Sequence, residues 1–308
     1  MMGDGRPSFF ARWAAFTAER FPPASHVLMA ASFFAGNAAA AAVLTGAEIH
    51  APAAICGGLA TLLIFFRLRV FDEIKDAQTD RELNPGRPLA RALTSLQEAW
   101  RVALCVGAAE AALELACGLP AFASWLVVLS FSLLMFREFF IGAWLRPRME
   151  LYAVTHTLVA GWMGMLAAST VSGLAPWQLP AGIWCLVLAN WAVFNVFEFA
   201  RKTWGSDEEK PGVDSYSARL RPMGAALLAM SQVVLAAAGA YLLLREAAVV
   251  GAALPAAAMV ALTGVASAVY VSRPLGWCAK AYRGTMSFFI VAYYLVVAAC
   301  IFLGGLGS

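Results

Sequence analysis

The chain has 308 residues, of which 61% are hydrophobic and 13% are charged, and its formal net charge is +3. Soluble domains contain roughly 45–50% apolar and about 25% charged residues, so this composition excludes an ordinary soluble globular fold. It also excludes an intrinsically disordered chain, which would be poor in apolar residues. The six cysteines show no CxxC spacing and lie mostly in apolar runs, which argues against both a disulfide framework and a zinc site.

Nine apolar segments are each long enough to cross the roughly 30 Å hydrocarbon core of a bilayer as a helix. Their uninterrupted apolar runs exclude the alternating pattern of a transmembrane barrel. The sequence therefore predicts an all-α polytopic membrane protein, a single domain over 1-308 built as a bundle of about nine transmembrane helices. Only Arg245 and Glu246 separate two of the segments, which leaves a count of eight or nine. The predicted spans are 26-46, 51-69, 99-117, 121-141, 153-172, 179-199, 223-244, 247-271 and 285-305.

Arginine and lysine residues concentrate before the first predicted helix and in every second loop, and only Arg245 falls on the other side. Under the positive-inside rule, this alternation places the N-terminus and the even-numbered loops in the cytoplasm. The two longest polar stretches, about 70-98 and about 200-222, are both cytoplasmic loops in this arrangement. The segment before the first helix lacks the compact layout of a signal peptide, so we expect a retained amphipathic lead-in.

The first polar stretch carries carboxylates at helical spacing. Asp72, Asp76 and Asp80 recur every four residues, so on a helix they point the same way and repel one another. A cation should lie against them, and Mg²⁺ prefers such hard oxygen ligands together with substrate phosphates. Lys75 and Arg87 accompany these acids, and basic side chains pair with phosphate oxygens. The pattern predicts a metal-bridged diphosphate site, and the competing interpretation is a solvated helix with internal ion pairs.

The segment DEIKDAQTD, followed by NPGRPLARAL, resembles the first aspartate-rich motif of the UbiA superfamily of intramembrane prenyltransferases. The nine-helix layout, with active-site loops after the second and sixth helices, resembles that superfamily as well. The resemblance implies that Asp76 and Asp80 bind metal and that Arg87 contacts diphosphate, while Asp72 and Glu73 stand where the family usually has Asn and Asp. The candidate catalytic residues of this motif are Asp72, Glu73, Asp76 and Asp80, and its candidate substrate-binding residues are Lys75 and Arg87.

The second polar stretch again mixes acids and bases, in the matching loop. Two carboxylate clusters on one side of a bundle can hold metals across a diphosphate. The superfamily's second motif, DxxxD followed by a glycine and a closing turn, is only partly reproduced, because the acids after Glu198 follow late, as if residues were inserted. We take Glu198 as a catalytic and metal-binding candidate and Asp207 as a further metal ligand, with Arg201 and Lys202 as phosphate contacts. A solvated loop tip is the competing interpretation for Asp207. Alternative ligands are Glu208 and Asp214.

The fourth loop contains an aromatic segment followed by basic residues. It resembles the superfamily's segment at the end of the fourth helix, where a tyrosine and a lysine are usual. Phe140 and Arg146 are the nearest counterparts, which makes Arg146 a candidate substrate-binding residue and removes the tyrosine hydroxyl. His156 follows in the next helix, and a lone histidine there is interpreted as a packing residue rather than as a base.

Polar residues within the predicted spans are costly in lipid, so each needs a partner or a function. Glu110 and Glu114 share one face of the third helix. They either line an interior cavity, pair with a polar residue such as Asn190, or lie in the outer half of the membrane and reach towards solvent, and we favour a structural role. Asn37 either reaches a substrate hydroxyl or packs against a neighbouring helix.

The residues and the resemblance together imply an enzyme that transfers an isoprenyl group from a prenyl diphosphate to an electron-rich, aromatic acceptor at the cytoplasmic side. The implied cofactor is Mg²⁺. The expected partners are the prenyl diphosphate, a lipophilic acceptor and the lipid bilayer, with no nucleic acid, and the expected location is the bacterial cytoplasmic (inner) membrane. Alternatives are a UbiA-type terpene cyclase or prenyl transfer to a non-aromatic acceptor, a membrane transporter or cation-binding protein without catalysis, and an inactive member of the fold. Prenyl length and oligomeric state stay open.

Overall fold

The computed structural model describes residues 7-305, and this range is built from helices and turns without a β-strand. The all-α prediction is therefore confirmed. A left-handed turn at Glu138–Phe140 separates the fifth and sixth helices. The helices are α1 (Phe9–Arg20), α2 (Pro23–Thr45), α3 (Ala51–Leu83), α4 (Leu96–Ala116), α5 (Leu119–Phe136), α6 (Gly142–Leu145), α7 (Met149–Thr157), α8 (Val159–Ser172), α9 (Ile183–Arg201), α10 (Tyr216–Glu246), α11 (Ala253–Ser272) and α12 (Gly276–Gly305).

Within residues 7-305, eight helical segments are long and apolar enough to cross a membrane, with α7 and α8 together forming one of them. Each of the nine predicted spans falls on a helix, but α4 is not among these eight. The reason is its charge, since α4 carries Glu98, Arg101, Glu110 and Glu114. It nevertheless packs lengthwise against α3 and also contacts α5. Several predicted bounds are displaced by five residues or more: α5 ends at Phe136 rather than at 141, α10 begins at Tyr216 rather than at 223, α11 begins at Ala253 rather than at 247, and α12 begins at Gly276 rather than at 285.

The two polar stretches predicted as loops are partly helical. α3 has 33 residues; at 1.5 Å per residue this is about 50 Å, well beyond the thickness of a hydrocarbon core. Residues 70-83 therefore continue the membrane helix, and only residues 84-95 form the turn before α4. In the second stretch, residues 202-215 are non-helical, and α10 is kinked at Arg221, whose φ is +63°. The acids of the first motif thus lie on a helix, as their spacing requires.

The amphipathic lead-in is helix α1. Ser8 caps its first turn by accepting a hydrogen bond from the backbone N–H of Ala11 at 3.3 Å. Trp13 and Phe16 are buried against apolar side chains of the α3 extension and of α4. Three ion pairs tie α1 to the first motif and its neighbours, so α1 braces the end of α3 from outside. These pairs are Arg12–Glu98, Glu19–Arg91 and Arg20–Glu73.

A buried amide pair joins α2 to α9 at the centre of the bundle. Asn37 donates to the Asn190 side-chain oxygen at 3.1 Å and accepts from the Asn190 amide at 2.7 Å. The Tyr294 hydroxyl donates to Asn190 at 2.6 Å. A Cβ at Gly164 would lie 2.2 Å from the Asn190 nitrogen, so only glycine leaves room for the pair. Asn37 therefore packs against a neighbouring helix, and Asn190 is not the partner of Glu110.

A buried ion pair joins α3 to α4. The Arg67 Nε donates to both carboxylate oxygens of Glu110, at 2.9 and 3.0 Å, and both side chains are almost fully buried. The Trp125 indole N–H donates to the same carboxylate at 3.0 Å. Glu114, one turn further along α4, accepts a hydrogen bond from the Thr170 hydroxyl at 2.8 Å. Both intramembrane acids thus have partners inside the bundle, as an ionisable group in lipid requires.

Candidate functional site

The three aspartates at the end of α3 share a face but have different surroundings. The side chains of Asp72 and Asp76 are 47% and 45% exposed, whereas that of Asp80 is 5% exposed. Asp80 accepts hydrogen bonds from Arg87 at 2.8 Å and from Asn84 at 2.9 Å. Arg87 also lies 3.8 Å from Asp76. Asp72 and Asp76 are therefore the open carboxylate pair, and Asp80 positions Arg87 beside it.

Glu73 lies on another side of α3 from this open pair. Its side chain is 1% exposed and forms an ion pair with Arg20 of α1. Arg69 completes the contact by donating to the backbone carbonyl of Arg20 at 2.9 Å. Neighbouring residues on a helix point about 100° apart, which explains why Glu73 faces α1 while Asp72 faces the opening. The structure thus places Glu73 in the attachment of α1, apart from the open pair.

Lys75 connects the first motif to α7. Its Nζ lies 4.0 Å from the Asp72 carboxylate and donates to the Tyr152 hydroxyl at 2.9 Å. The Tyr152 hydroxyl in turn donates to Glu138 at 3.4 Å. Tyr152 is not among the residues predicted from the sequence. The available signal is its four-residue spacing from His156, which puts both side chains on the same face of α7.

The turn between α5 and α6 is strained. The three residues of Glu138–Phe140 have φ values of +49°, +54° and +59°. Each left-handed residue that is not glycine costs roughly 1–2 kcal/mol. The turn buries the Glu138 side chain, which accepts a hydrogen bond from Arg146 Nε at 2.7 Å. A Cβ at Gly142 would lie 2.1 Å from the Glu138 carboxylate, so this position requires glycine.

Arg146 is the exposed basic residue of this turn. Its hydrogen bond to Glu138 raises the pKa of the Arg146 guanidinium, which keeps it charged. The charge lies within electrostatic range of Asp76 and so belongs to the same site. Phe140, the expected counterpart of the family's tyrosine, is 77% exposed. The hydroxyl group next to the first motif comes from Tyr152 instead.

The end of α9 presents cations to the open pair. Arg201 donates two hydrogen bonds to Glu198, at 2.5 and 2.6 Å, and the Lys202 Nζ lies 3.9 Å from the same carboxylate. Arg201 and Asp72 lie within electrostatic range of each other, which brings the two motifs to one site. Burial, followed by the charge of Arg201, lowers the pKa of Lys202.

Three later acids of the second stretch have partners within the protein, whereas Asp214 is exposed. Asp207 accepts a hydrogen bond from the backbone N–H of Gly276 at 2.5 Å and so caps α12. Glu208 accepts two hydrogen bonds from Arg283, each of 2.7 Å, and this contact holds the pKa of the Glu208 carboxyl below its usual range. Glu209 accepts hydrogen bonds of 2.7 Å from two serines, Ser215 and Ser217. The structure therefore places Asp207 in the contact between the second loop and α12.

The basic loops meet at one end of the bundle, as the alternation of charges predicts. The loop over residues 202-215 contacts the turn before α12, where the Ser206 N–H donates to the Pro274 carbonyl at 2.8 Å. Over residues 7-305, no cluster of three or more His, Cys, Asp or Glu side chains is arranged to hold a metal.

Aromatic rings lie on the membrane side of these charges. Phe65 and Phe194 stack with their ring centroids 5.7 Å apart, and Phe33 meets both edge-on at 5.6 and 5.9 Å. Phe65 precedes Asp72 by about two turns of α3, and Phe194 precedes Glu198 by about one turn of α9. The charged end of the bundle thus continues inward into an apolar, aromatic interior.

Solved structures share this architecture. The apo UbiA homolog of Aeropyrum pernix K1 is 21% identical, with a TM-score of 0.64 over 89% of this chain and 97% of that chain. A structure described as digeranylgeranylglyceryl phosphate synthase is 15% identical, with a TM-score of 0.61 over 97% of this chain and 100% of that chain. The Archaeoglobus fulgidus UbiA homolog bound to GPP and Mg²⁺ is 15% identical, with a TM-score of 0.52 over 89% and 98% of the two chains.

No protein-family model matches the chain, and no curated protein sequence does either. At identities of 13–21%, the similarity is one of fold. The resemblance found in the first aspartate motif and the three-dimensional similarity agree on that fold. The chain is an integral membrane protein with the UbiA fold.

Proposed function

We propose that the chain is a Mg²⁺-dependent prenyltransferase that moves an isoprenyl group from a prenyl diphosphate to an electron-rich, aromatic acceptor. The observation that carries the proposal is the open pair Asp72 and Asp76, which faces Arg201 at the end of a UbiA-fold bundle. A bound diphosphate needs a divalent cation and basic side chains. Here the carboxylates that would hold the cation lie near basic side chains. The Archaeoglobus fulgidus homolog structures with DMAPP or GPP and Mg²⁺ support the assignment.

The residues fit one metal position. Asp72 and Asp76 lie one helical turn apart with exposed oxygens, and Mg²⁺ is commonly held by one or two carboxylates plus substrate phosphates. When bound, Mg²⁺ supplies positive charge that stabilises the departing diphosphate. A second carboxylate cluster is missing from the opposite side, because Glu198 is held by Arg201 and Asp207 caps α12. Cationic side chains take that place.

The chain's own basic groups bind the leaving group. Arg201, Lys202 and Lys75 donate to diphosphate oxygens from two sides, and Arg87 and Arg146 extend this cationic surface beside Asp76. Charge-assisted hydrogen bonds of this kind are roughly twice as strong as neutral ones, so they favour breaking of the C–O bond of the donor. Asp80 holds Arg87 in position, which is its role in this account.

The aromatic interior receives the prenyl chain. Ring faces stabilise an allylic cation, and the stacked rings of Phe65 and Phe194 also exclude water from it. A prenyl chain gains about 0.8 kcal/mol per CH₂ group on entering lipid, which explains why such an enzyme is embedded in a membrane. The positions of the basic loops support a site on the cytoplasmic side, and we propose the bacterial cytoplasmic membrane as the location.

A transporter is the second candidate, because charges lie deep in the bundle. Arg67 and Glu110 are buried in α3 and α4. They are however bound to each other, and Trp125 donates a further hydrogen bond to the carboxylate. A pathway for ions requires charged groups that are open to an aqueous cavity, whereas these groups are fully enclosed. The exposed charges lie at one end of the bundle, which favours chemistry on a lipid-anchored head group.

The test is transfer of a labelled prenyl group by the purified chain in detergent. Geranyl, farnesyl and geranylgeranyl diphosphates, each labelled at C1, are incubated with Mg²⁺ or with EDTA in the presence of a membrane lipid extract and 4-hydroxybenzoate. We expect Mg²⁺-dependent label in a prenylated aromatic product. If the labelled product is instead a cyclised hydrocarbon or a prenylated polar lipid, the chain catalyses one of the other UbiA-type reactions and the aromatic acceptor is wrong. Binding of donor and Mg²⁺ without any turnover would overturn the proposal in favour of a non-catalytic protein.

A further inference from the structure

His156 has a fixed tautomer and an unused ring nitrogen. Its Nδ1 lies 2.7 Å from the backbone carbonyl oxygen of Tyr152. A carbonyl oxygen only accepts, so Nδ1 carries the proton and Nε2 keeps a lone pair in the neutral ring. The Nε2 atom is buried and has no hydrogen-bond partner anywhere in residues 7-305. Leaving a buried polar atom without a partner is destabilising, and a role for the Nε2 lone pair in the reaction would account for it.

The ring lies inside the proposed site. It stacks on Tyr152, with centroids 3.9 Å apart and planes 16° apart, and Phe139 meets it edge-on at 5.7 Å. Besides Tyr152, the charged groups that act on it are Lys75 of α3, Glu138 of the strained turn and Lys202 after α9. His156 therefore lies within electrostatic range of both lysines that are proposed to bind diphosphate, Lys75 and Lys202.

A second histidine shows what a packing role looks like in this protein. His26 has the same local geometry, with Nδ1 3.0 Å from the Pro22 carbonyl and the ring 3.9 Å from that of Phe21. It lies in the first turn of α2, and its Nε2 is not a buried, unpartnered atom. The hydrogen bond to a backbone carbonyl and the ring stacking therefore also occur at a histidine outside the site, and they do not by themselves indicate a catalytic role. The buried lone pair beside the diphosphate-binding groups distinguishes His156.

We propose that His156 is the base that takes the proton lost by the acceptor, an inference that rests on the proposed prenyl transfer. The donor's C–O bond breaks, and its electron pair leaves with diphosphate. A π pair of the aromatic acceptor forms the new C–C bond to C1 of the prenyl cation. The electron pair of the C–H bond at the attacked carbon then returns to the ring, and the proton passes to Nε2. The imidazolium later gives this proton to water as product leaves.

The decisive variant is His156→Asn. An asparagine on a helix keeps the bond to the carbonyl four residues earlier, as Asn37 and Asn190 do here at 2.9 and 2.8 Å. The variant therefore retains the hydrogen bond to the Tyr152 carbonyl and removes the Nε2 lone pair together with the ring that stacks on Tyr152. His26→Asn is the matched control, since it makes the same exchange outside the site. His156→Gln serves as a second variant, with a neutral amide in place of the base.

Full-length chain in detergent is given C1-labelled geranyl diphosphate, Mg²⁺, 4-hydroxybenzoate and membrane lipid extract. Two quantities are measured: diphosphate released, and the division of label between prenylated acceptor and geraniol formed by water capture. Loss of a general base typically costs 10²–10⁴-fold, so we expect at least about a tenfold drop in acceptor product per diphosphate released in both His156 variants. Diphosphate release itself and the midpoint of thermal unfolding should stay near those of the wild type and of His26→Asn.

Three results would overturn the inference. An unchanged division of label in His156→Asn would show that the ring is a packing residue. Equal losses of diphosphate release and acceptor product would show a role in donor binding. Label found only as geraniol in the wild type would leave no acceptor proton for a base. These outcomes are distinct from failure of the proposed function, in which the wild type itself releases no diphosphate, and the inference would fall with it.

Discussion

Arg201 grips Glu198 through two parallel hydrogen bonds of 2.5 and 2.6 Å. A guanidinium fork occupies one lone pair on each carboxylate oxygen and neutralises the charge, so this carboxylate attracts a metal ion less strongly than an open one does. The second acidic stretch therefore contributes positive charge to the site, while the open acids lie on α3. This asymmetry sets the chain apart from an arrangement with two carboxylate clusters, and it determines how many metal ions the site should hold.

The first prediction concerns the number of metal ions. With the slowly reacting analogue geranyl thiodiphosphate, the wild type should bind one Mn²⁺ per chain, measured by electron paramagnetic resonance on detergent-purified protein. Lys202→Asp should raise this number towards two, because it places a second carboxylate one helical turn from Glu198 and removes a nearby ammonium group. Lys210→Asp, the same charge reversal at an exposed loop position, should leave the number at one. Two bound Mn²⁺ in the wild type would contradict this account.

The second prediction concerns the strained turn. Gly142→Ala places a methyl group where it meets the Glu138 carboxylate, so Glu138 must move and release Arg146. Overpacking of this kind costs about 1–3 kcal/mol. We expect a lower midpoint of thermal unfolding and a higher KM for the donor. Gly284→Ala is the control, since a Cβ there meets nothing within 4 Å, and it should be neutral or slightly stabilising. Equal behaviour of the two variants would contradict the contact.

The third prediction concerns the buried ion pair. Arg67→Met leaves the Glu110 carboxylate buried without its cation, and breaking such a pair costs roughly 3–5 kcal/mol. The double variant Arg67→Met, Glu110→Leu should recover most of this loss, because no uncompensated charge remains. Thermal unfolding in detergent measures both, with the exposed Arg101→Met as control. A double variant as unstable as the single one would argue against the pair as the cause.

The fourth prediction concerns acid stability. Arg283 lowers the pKa of Glu208 in the folded protein, whereas the unfolded chain has an ordinary value of about 4.3. The contact therefore stabilises the fold fully above that value, and this stability disappears as the pH falls through the lowered folded-state pKa. The difference in unfolding midpoint between wild type and Glu208→Gln should be constant from about pH 6 to 7.5 and shrink below about pH 4. The exposed Glu82→Gln should show no such trend. A difference that grows in acid would refute the contact.

The helices could be predicted from the sequence because lipid imposes a length and an apolar composition that few other folds share. The helical spacing of Asp72, Asp76 and Asp80 is confirmed, because α3 continues to Leu83, three residues beyond Asp80. The periodicity of the sequence does not show which of the acids already forms an ion pair with an arginine. Asp80 and Glu198 are bound by Arg87 and Arg201, and these pairings depend on how the chain turns back.

Two site features depended on tertiary contacts and could not be read from the sequence. Tyr152 forms a hydrogen bond with Lys75, 77 residues away in the sequence, and no local sequence pattern predicts this contact. Asp207 lies in an acidic run typical of a metal ligand, yet the turn before α12 brings the N–H of Gly276 to it. A free helix N-terminus binds a nearby carboxylate readily, so packing decided the role of this acid.

Diphosphate release from geranyl diphosphate tests most directly whether the open carboxylates of α3 hold the Mg²⁺ that the reaction needs. It is measured for the wild type, Asp76→Asn and Glu82→Gln, with Mg²⁺ and with EDTA. Asp76 is an open carboxylate of the site, whereas Glu82 is an exposed acid on the same helix. We expect that diphosphate release requires Mg²⁺, falls about 100-fold or more in Asp76→Asn, and is unchanged in Glu82→Gln. Release that persists in EDTA, or that is equal in Asp76→Asn and the wild type, would contradict this expectation.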